Sequence, residues 1–376
     1  MRVFSTADIL LPAAADMTKW ACVACDQFTS EPEYWAEAGR IVGDAPGALK
    51  LIYPEAWLGR PDEEEIRRGI NVAMEKYLAS GVFRELKDSL VYVERRLPSG
   101  AVRRGLVGKI DLEQYDWAEG TRSAVRATEG TIESRLPARV SVRRAAAIEL
   151  PHIMVFIDDP ADGIIPSATG GEGLYDFELM LGGDFAFAMG DGNHSLAAAK
   201  RCWEEMKPTV PESGREGHPA RYALVELVNI HDPAVTFEPI HRALIGADTG
   251  DFLSAAVDAF TRAEPQGDAV SGITLLCGGE EAAIELPLPL GAAVSLVDGF
   301  LTGYTAAFGG EVDYIHGEEE TRSLAARSGG AGILLPTLKK EELFPHVARF
   351  GPYPKKSFSI GEAREKRYYL EARKIK

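Results

Sequence analysis

The segment Phe185 to Lys200 reads FAFAMGDGNHSLAAAK. A short apolar strand enters a tight glycine-containing turn, and a helix opens directly after it. The first amides of a helix have no partner inside it, and the helix dipole adds partial positive charge there. Together these bind anions, phosphate above all. Gly190 and Gly192 let the backbone approach a ligand closely. Asp191 suits a metal ion or a proton, and His194 a phosphate contact or acid–base work near neutral pH. Asn193 and Ser195 complete the turn. Asp, Gly, Asn and Ser are also the ordinary residues of turns and helix caps, so the local sequence supports a plain helix start equally well. The turn is not a P-loop, because the Gly-Lys-Ser/Thr ending is missing, and it is not a Rossmann fingerprint.

A second signal is electrostatic. From Arg95 to Arg144 there are 11 Lys/Arg and 6 Asp/Glu, in a chain whose formal charge is −16. Arg122, Arg126, Arg135 and Arg139 lie around Ala127-Thr128-Glu129-Gly130-Thr131. Guanidinium forks suit phosphate and carboxylate, and the cluster runs against the chain's overall sign. Any single arginine here is equally a solvated surface residue. Phe237-Glu238-Pro239-Ile240-His241-Arg242 sets Glu, His and Arg together after a strand, where His241 and Arg242 are candidates for a phosphate contact. The stretch Pro354 to Lys376 is basic and reads as a solvated tail or surface helix. Cys22-Val-Ala-Cys25 has metal or redox spacing, but no second cysteine pair follows, so no metal site is expected and two half-buried thiols are. Asp158-Asp159-Pro160 is read as a strand-exit turn.

The elements that must position these groups are legible in part. Pro61 and Asp62 to Glu65 open a helix whose apolar face is Ile66, Ile70, Met74, Tyr77 and Leu78, and Gly81 ends it. Leu90–Leu97 and Ala101–Ile110 read as a hairpin about Pro98-Ser99-Gly100. Ile153–Ile157, Phe185–Met189 and Tyr222–Ile230 read as strands, with a helix from Leu196 to Met206. Beyond Gly250 a helix, Phe252 to Arg262, leads into short strands at Ile273–Cys277 and Ala282–Leu286, and Gly332–Leu335 is a late strand. Leu338 to Phe350 is helix-like, with Pro345 expected to break or kink it. Residues 1–60 are weakly periodic and read as loops with short elements.

The chain has 376 residues, 45% hydrophobic and 26% charged. That is long enough for two domains and is the composition of an ordinary globular protein. The expected division is 1–248, carrying the anion site, and 249–376. Hairpins mixed with isolated helices point to an α+β fold of mixed sheets with flanking helices. The acidic balance disfavours nucleic acid as a partner. The most apolar stretch, Leu286 to Gly303, contains Pro287, Pro289 and Asp298 and is not expected to span a membrane. Asp8 breaks the apolar N-terminal run, which excludes a signal peptide, and four cysteines in this length suit a reducing cytoplasm.

RATEGTIESRLPAR (126–139), LPHIMVFIDDP (150–160), GDGNHSLAAAK (190–200), FEPIHR (237–242) and KKSFSIGEAREKRYYLEAR (355–373) occur in the order found in DUF 1015, a prokaryotic family of unknown function. WACVACDQFTSEPEYW (20–35) is similar to that family's N-terminal segment. The resemblance spans nearly the whole chain. A more distant resemblance is to the ParB/sulfiredoxin superfamily, in which a strand, a Gly/His turn and a helix bind nucleotide phosphates. Asp191, Gly192, Asn193 and His194 align with that turn. Many members carry Arg after the His, where this chain has Ser195, so Arg126 or Arg242 would have to supply the guanidinium.

This second resemblance implies a ParB/sulfiredoxin-like core in the central part of the chain and a nucleotide, ATP or ADP with Mg²⁺, as cofactor. It makes the chain a nucleotide- or phosphate-binding protein and a candidate small-molecule kinase with a serine-like acceptor. Asp191, His194 and Glu129 would then be catalytic. Gly190, Gly192, Asn193, Ser195, Arg126, Thr128, Arg135, Arg139, His241 and Arg242 would hold phosphate. A nucleotide-binding switch without catalysis, and a phosphatase using the same anion site, are the alternative readings.

Overall fold

The structure is a computed structural model, and it describes residues 3–29, 31–118, 120–130, 136–151, 153–168, 185–361 and 365–376. The chain forms two units. The first comprises Met1–Val235, His346–Pro352 and Glu362–Lys376, and the second Thr236–Pro345 and Tyr353–Gly361. The division therefore comes at Thr236 rather than at 249, and the end of the chain returns to the first unit. Arg135, one of the expected phosphate ligands, lies outside the described residues.

The first unit is built on an eight-stranded mixed sheet. Its order is Phe4–Ser5, Val102–Asp111, Tyr222–Asn229, Met154–Ile157, Phe187–Asp191, Val125–Arg126 and Tyr115–Asp116, and Val91–Arg96 also pairs with Val102–Asp111. Met154–Ile157 runs parallel to Tyr222–Asn229, and Phe187–Asp191 parallel to Val125–Arg126, with Phe187 opposite Val125 and Ala188 opposite Arg126. Most residues of these strands are apolar and buried. On one side Leu196, Ala199 and Trp203 of the Asn193–Met206 helix pack with Val155, Met189 and Val225. A separate core gathers Trp20, Trp35, Leu51, Met74 and Tyr77 about the Glu63–Ala79 helix. Residues 1–60 are indeed mostly short elements, apart from the eleven-residue helix Pro32–Val42.

The basic C-terminal stretch is not a solvated tail. Lys366, Arg367 and Arg373 are buried. Arg367 lies 2.6 Å from both Glu226 and Glu371, and Arg373 2.7 Å from Glu149. A buried guanidinium needs a carboxylate beside it; Glu371 lies four residues on, and Glu226 and Glu149 come from strands far away in sequence.

The second unit is a six-stranded antiparallel sheet in the order Glu280–Leu286, Ser271–Cys277, Gly330–Leu334, Phe237–Ile245 and Glu311–His316, with Phe358–Ile360 pairing Phe237–Pro239. The Leu290–Phe308 helix has the length and hydropathy of a membrane span. Pro287 and Pro289 precede it rather than interrupt it. Val294, Val297 and Leu301 are buried, and Asp298 on the same helix pairs with Arg242 of the sheet. Pro345 lies inside a continuous Lys340–Phe350 helix and does not break it. The chain passes from the second unit to the first at that point.

Both units mix strands and helices, so the fold is α+β, a mixed sheet and an antiparallel sheet with flanking helices.

Candidate functional site

The Phe187–Asp191 strand lies inside the mixed sheet and feeds the Asn193–Met206 helix through one residue, Gly192. Gly192 has φ +79° and ψ 26°, the left-handed region that residues with a side chain avoid. Among the described residues no side-chain hydrogen bond from the cap position closes this helix, and its first turn carries no acid. The positive end of the helix dipole is therefore not offset by the helix's own residues. Gly190 has a different role from the one expected. A Cβ there would meet the Phe156 ring at 2.9 Å, so this glycine serves packing within the sheet.

Asp191 stands at the end of the strand. Its Oδ1 accepts the Gly192 amide at 2.8 Å. Its Oδ2 is buried without a hydrogen-bond partner and lies 3.6 Å from the Lys366 ammonium. Asn193 also has a buried Oδ1 without a partner. His194 and Ser195 are half-buried on the first turn. Thr128 is buried and donates its hydroxyl to the Met189 carbonyl at 2.6 Å, which ties the loop after Val125–Arg126 to the strand beside it. Glu129 follows, half-buried. Arg126 donates its Nε to the Ser123 carbonyl at 2.9 Å and lies over the Phe185 ring at 4.6 Å.

Arg139 comes from the Leu136–Ala145 helix, whose Val140 packs against Ala198 and Cys202 of the Asn193–Met206 helix. Its Nη1 donates to Ser195 Oγ at 2.7 Å and to Cys25 Sγ at 3.3 Å, and its Nη2 to Glu55 Oε1 at 2.7 Å. Asp26 stands 3.8 Å away. Arg139 Nε is buried without a hydrogen-bond partner. Ser195 occupies the place for which the sequence offered Arg126 or Arg242, and the guanidinium on it is that of Arg139.

Burial pushes the Cys22 thiol up to about 12, and burial also raises Cys25 against the opposing pull of Arg139. Both are buried rather than half-buried. Among the described residues no group of three or more His, Cys, Asp or Glu is placed to hold a metal ion.

His241 and Arg242 belong to the second unit. His241 is buried, and its Nδ1 accepts the Leu335 amide at 3.1 Å. Burial lowers its pKa, which keeps it neutral in that role. Arg242 has a fully buried side chain. It holds Asp298 at 2.8 Å and the carbonyls of Ile240 and Lys356 at 2.6 and 2.9 Å. Its donors are used within its own unit.

The structure thus gathers Asp191, Gly192, Asn193, His194, Ser195 and Arg139 at one helix start, with Thr128 and Glu129 on the neighbouring strand's exit. Glu55, Asp26 and Lys366 were not singled out for this site by the sequence. Each reaches it from a distant segment, and the hydrogen bond that the Glu55 amide donates to the Cys25 carbonyl, at 2.7 Å, is a contact that no local pattern announces.

Among solved structures, the chain is similar to a free serine kinase in complex with AMP at 16% identity. That match covers 71% of this chain and 91% of the other, with a TM-score of 0.42. A conserved hypothetical protein from Pyrococcus furiosus matches at 15% identity over 68% and 90%, TM-score 0.38. SbnI with a C-terminal truncation, from Staphylococcus aureus, matches at 13% identity over 68% and 82%, TM-score 0.39. Scores of this size do not establish a shared fold. No curated protein matches the sequence. A family model described as "Protein of unknown function (DUF1015)" matches residues 8–184 and 178–287. With that much of its length matched, the chain belongs to the DUF1015 family.

Proposed function

We propose that the first unit binds the phosphates of a nucleotide at the start of the Asn193–Met206 helix and passes a phosphoryl group to a small hydroxyl-bearing acceptor. The observation that carries this reading is the helix start itself. A left-handed glycine, which has no side chain to cap with, sits at its cap, and a lysine and an arginine flank it through Asp191 and Ser195. A helix start of this kind favours an anion in the place its own side chains leave.

The donor set also suits Mg²⁺ carried in by the nucleotide. Mg²⁺ takes one or two protein carboxylates and completes its shell with water and phosphate oxygens. Asp191 Oδ2, buried without a hydrogen-bond partner, would be the carboxylate oxygen to hold it. When bound, the ion would offset charge on the phosphates. The residues of the chain hold the reactants: the helix amides and Lys366 take phosphate oxygens, and His194 lines the same turn. In the transfer the bond between the terminal phosphorus and its bridging oxygen breaks, and a bond from phosphorus to the acceptor oxygen forms. The acceptor's hydroxyl proton passes to a carboxylate, and with Asp191 engaged by the ion that role falls to Glu129.

The test is a transfer assay with ATP labelled at the terminal phosphate, Mg²⁺ and a panel of small alcohols with serine first. Labelled product is expected with wild type and is expected to fall at least about a hundredfold with Glu129→Gln, the scale of a lost acid–base group, and also with Asp191→Asn, which removes the carboxylate for the ion. Transfer at the wild-type rate in Asp191→Asn and Glu129→Gln alike would overturn the assignment.

A further inference from the structure

A second opening lies on the same unit. It is a cleft of about 660 Å³ lined by Asp116, Trp117, Arg122, Arg126, Arg349 and Phe350, among others. Its volume is that of a small-molecule site. Its lining combines two chemistries. Among the described lining residues, three guanidinium groups stand against the carboxylate of Asp116. Two aromatic rings, half-buried Trp117 and Phe350, offer faces to a flat partner, and Phe350 is 46% exposed. Arg349 already lies over the Phe350 ring at 4.9 Å. Rings and guanidinium planes stack on a nucleobase whatever its identity, and an exposed phenylalanine gains by being covered.

Register connects this cleft with the helix start. Arg126 is opposite Ala188 on the parallel neighbour, and Asp191 lies three residues further along that strand. At about 3.3 Å per residue this is a step of roughly 10 Å, which a nucleotide spans. Both features lie at the carboxyl ends of adjacent parallel strands, where sheets of this kind receive ligands.

We infer that the cleft takes the nucleoside end of the nucleotide whose phosphates lie at the Asn193–Met206 helix. This rests on the phosphate reading above and adds a place for base and ribose. The base stacks between Trp117 and the Arg349–Phe350 pair. Asp116, whose Oδ1 accepts the Ala118 amide at 3.0 Å, is the carboxylate for a ribose hydroxyl. Arg122 and Arg126 face the passage toward the phosphates.

Calorimetric titrations with ATP and with inorganic tripolyphosphate, both with Mg²⁺, separate the two claims. Wild type should bind ATP at least about tenfold more tightly than tripolyphosphate, the scale of one stacked base. The Arg349→Ala/Phe350→Ala double variant changes exposed side chains, so it should fold. It should lose the preference and keep its affinity for tripolyphosphate. ATP should also quench tryptophan emission where tripolyphosphate does not, and Trp117→Phe should remove the quench. Equal binding of the two ligands by wild type, or a preference that survives the double variant, overturns the cleft and leaves the phosphate site standing. Binding of neither ligand overturns both.

Discussion

Arg139 and Arg242 carry the same expectation in the sequence, each a candidate phosphate ligand. Their surroundings differ. Arg242 sits in the second unit with every side-chain atom buried, and its donors end on Asp298 and two carbonyls. Arg139 sits in the first unit on the opening turn of a helix, holds Ser195 and Glu55, and keeps a buried Nε without a hydrogen-bond partner. A guanidinium whose donors are all matched by its own unit holds that unit together. We propose that one that bridges to a helix start, as Arg139 does through Ser195, also serves the ligand there.

The comparison is broken most directly by removing each arginine. Arg242→Met leaves Asp298 and two carbonyls without their partner, and about 3 kcal/mol of stability should be lost. Urea unfolding reads this as a lower midpoint, and ATP affinity should stay as in wild type. Arg139→Met should cost a similar stability, about 3 kcal/mol, because Glu55 is also buried. It should in addition weaken ATP binding about tenfold, the size of one lost charged hydrogen bond. If both variants bind ATP as wild type does, Arg139 is structural like Arg242 and the contrast disappears.

Gly192→Ala sharpens the same contrast at lower cost. The left-handed backbone penalises alanine by about 1–2 kcal/mol, measurable as a lower melting temperature. The smallest effect is on pH dependence. Burial alone would raise the Glu149 carboxyl, but Arg143 and Arg373 outweigh it and hold it below its ordinary 4.5. A carboxyl depressed in the folded state stabilises above its unfolded pKa, and that stability is lost as pH falls through the folded value. The first unit should therefore lose stability below about pH 4.5, and Glu149→Gln should flatten that acid limb while lowering stability at pH 7. An unchanged limb would mean that the Arg143–Glu149–Arg373 cluster does not govern acid unfolding.

Local order was readable where the signal itself is local. The Glu63–Ala79 helix carries its acidic first turn and apolar stripe in sequence, and the Val91–Arg96/Val102–Asp111 hairpin carries its turn. The strand, glycine and helix about Gly192 were legible for the same reason. What the sequence hid depends on partners brought from far away. Lys366 and Arg367 read as a solvated basic stretch because Asp191 and Glu226, which neutralise them, lie more than a hundred residues earlier. Glu55 and Asp26 have no local feature that aims them at Arg139. The Leu290–Phe308 helix was obscured by its glycines and by the prolines just before it, and tertiary packing overrides that weak propensity. Arg242 could not be told from a ligand-binding arginine because Asp298, its partner, lies on that helix.

The central claim is that the start of the Asn193–Met206 helix holds the phosphates of a nucleotide. Calorimetric titration of ATP with Mg²⁺ into wild type and Gly192→Ala, at a temperature where both are folded, tests it most directly. Saturable one-to-one binding by wild type, weakened at least about tenfold in Gly192→Ala, is the result expected when the helix start carries the phosphates. Identical affinities in the two proteins, or no heat from either at millimolar ATP, would contradict it.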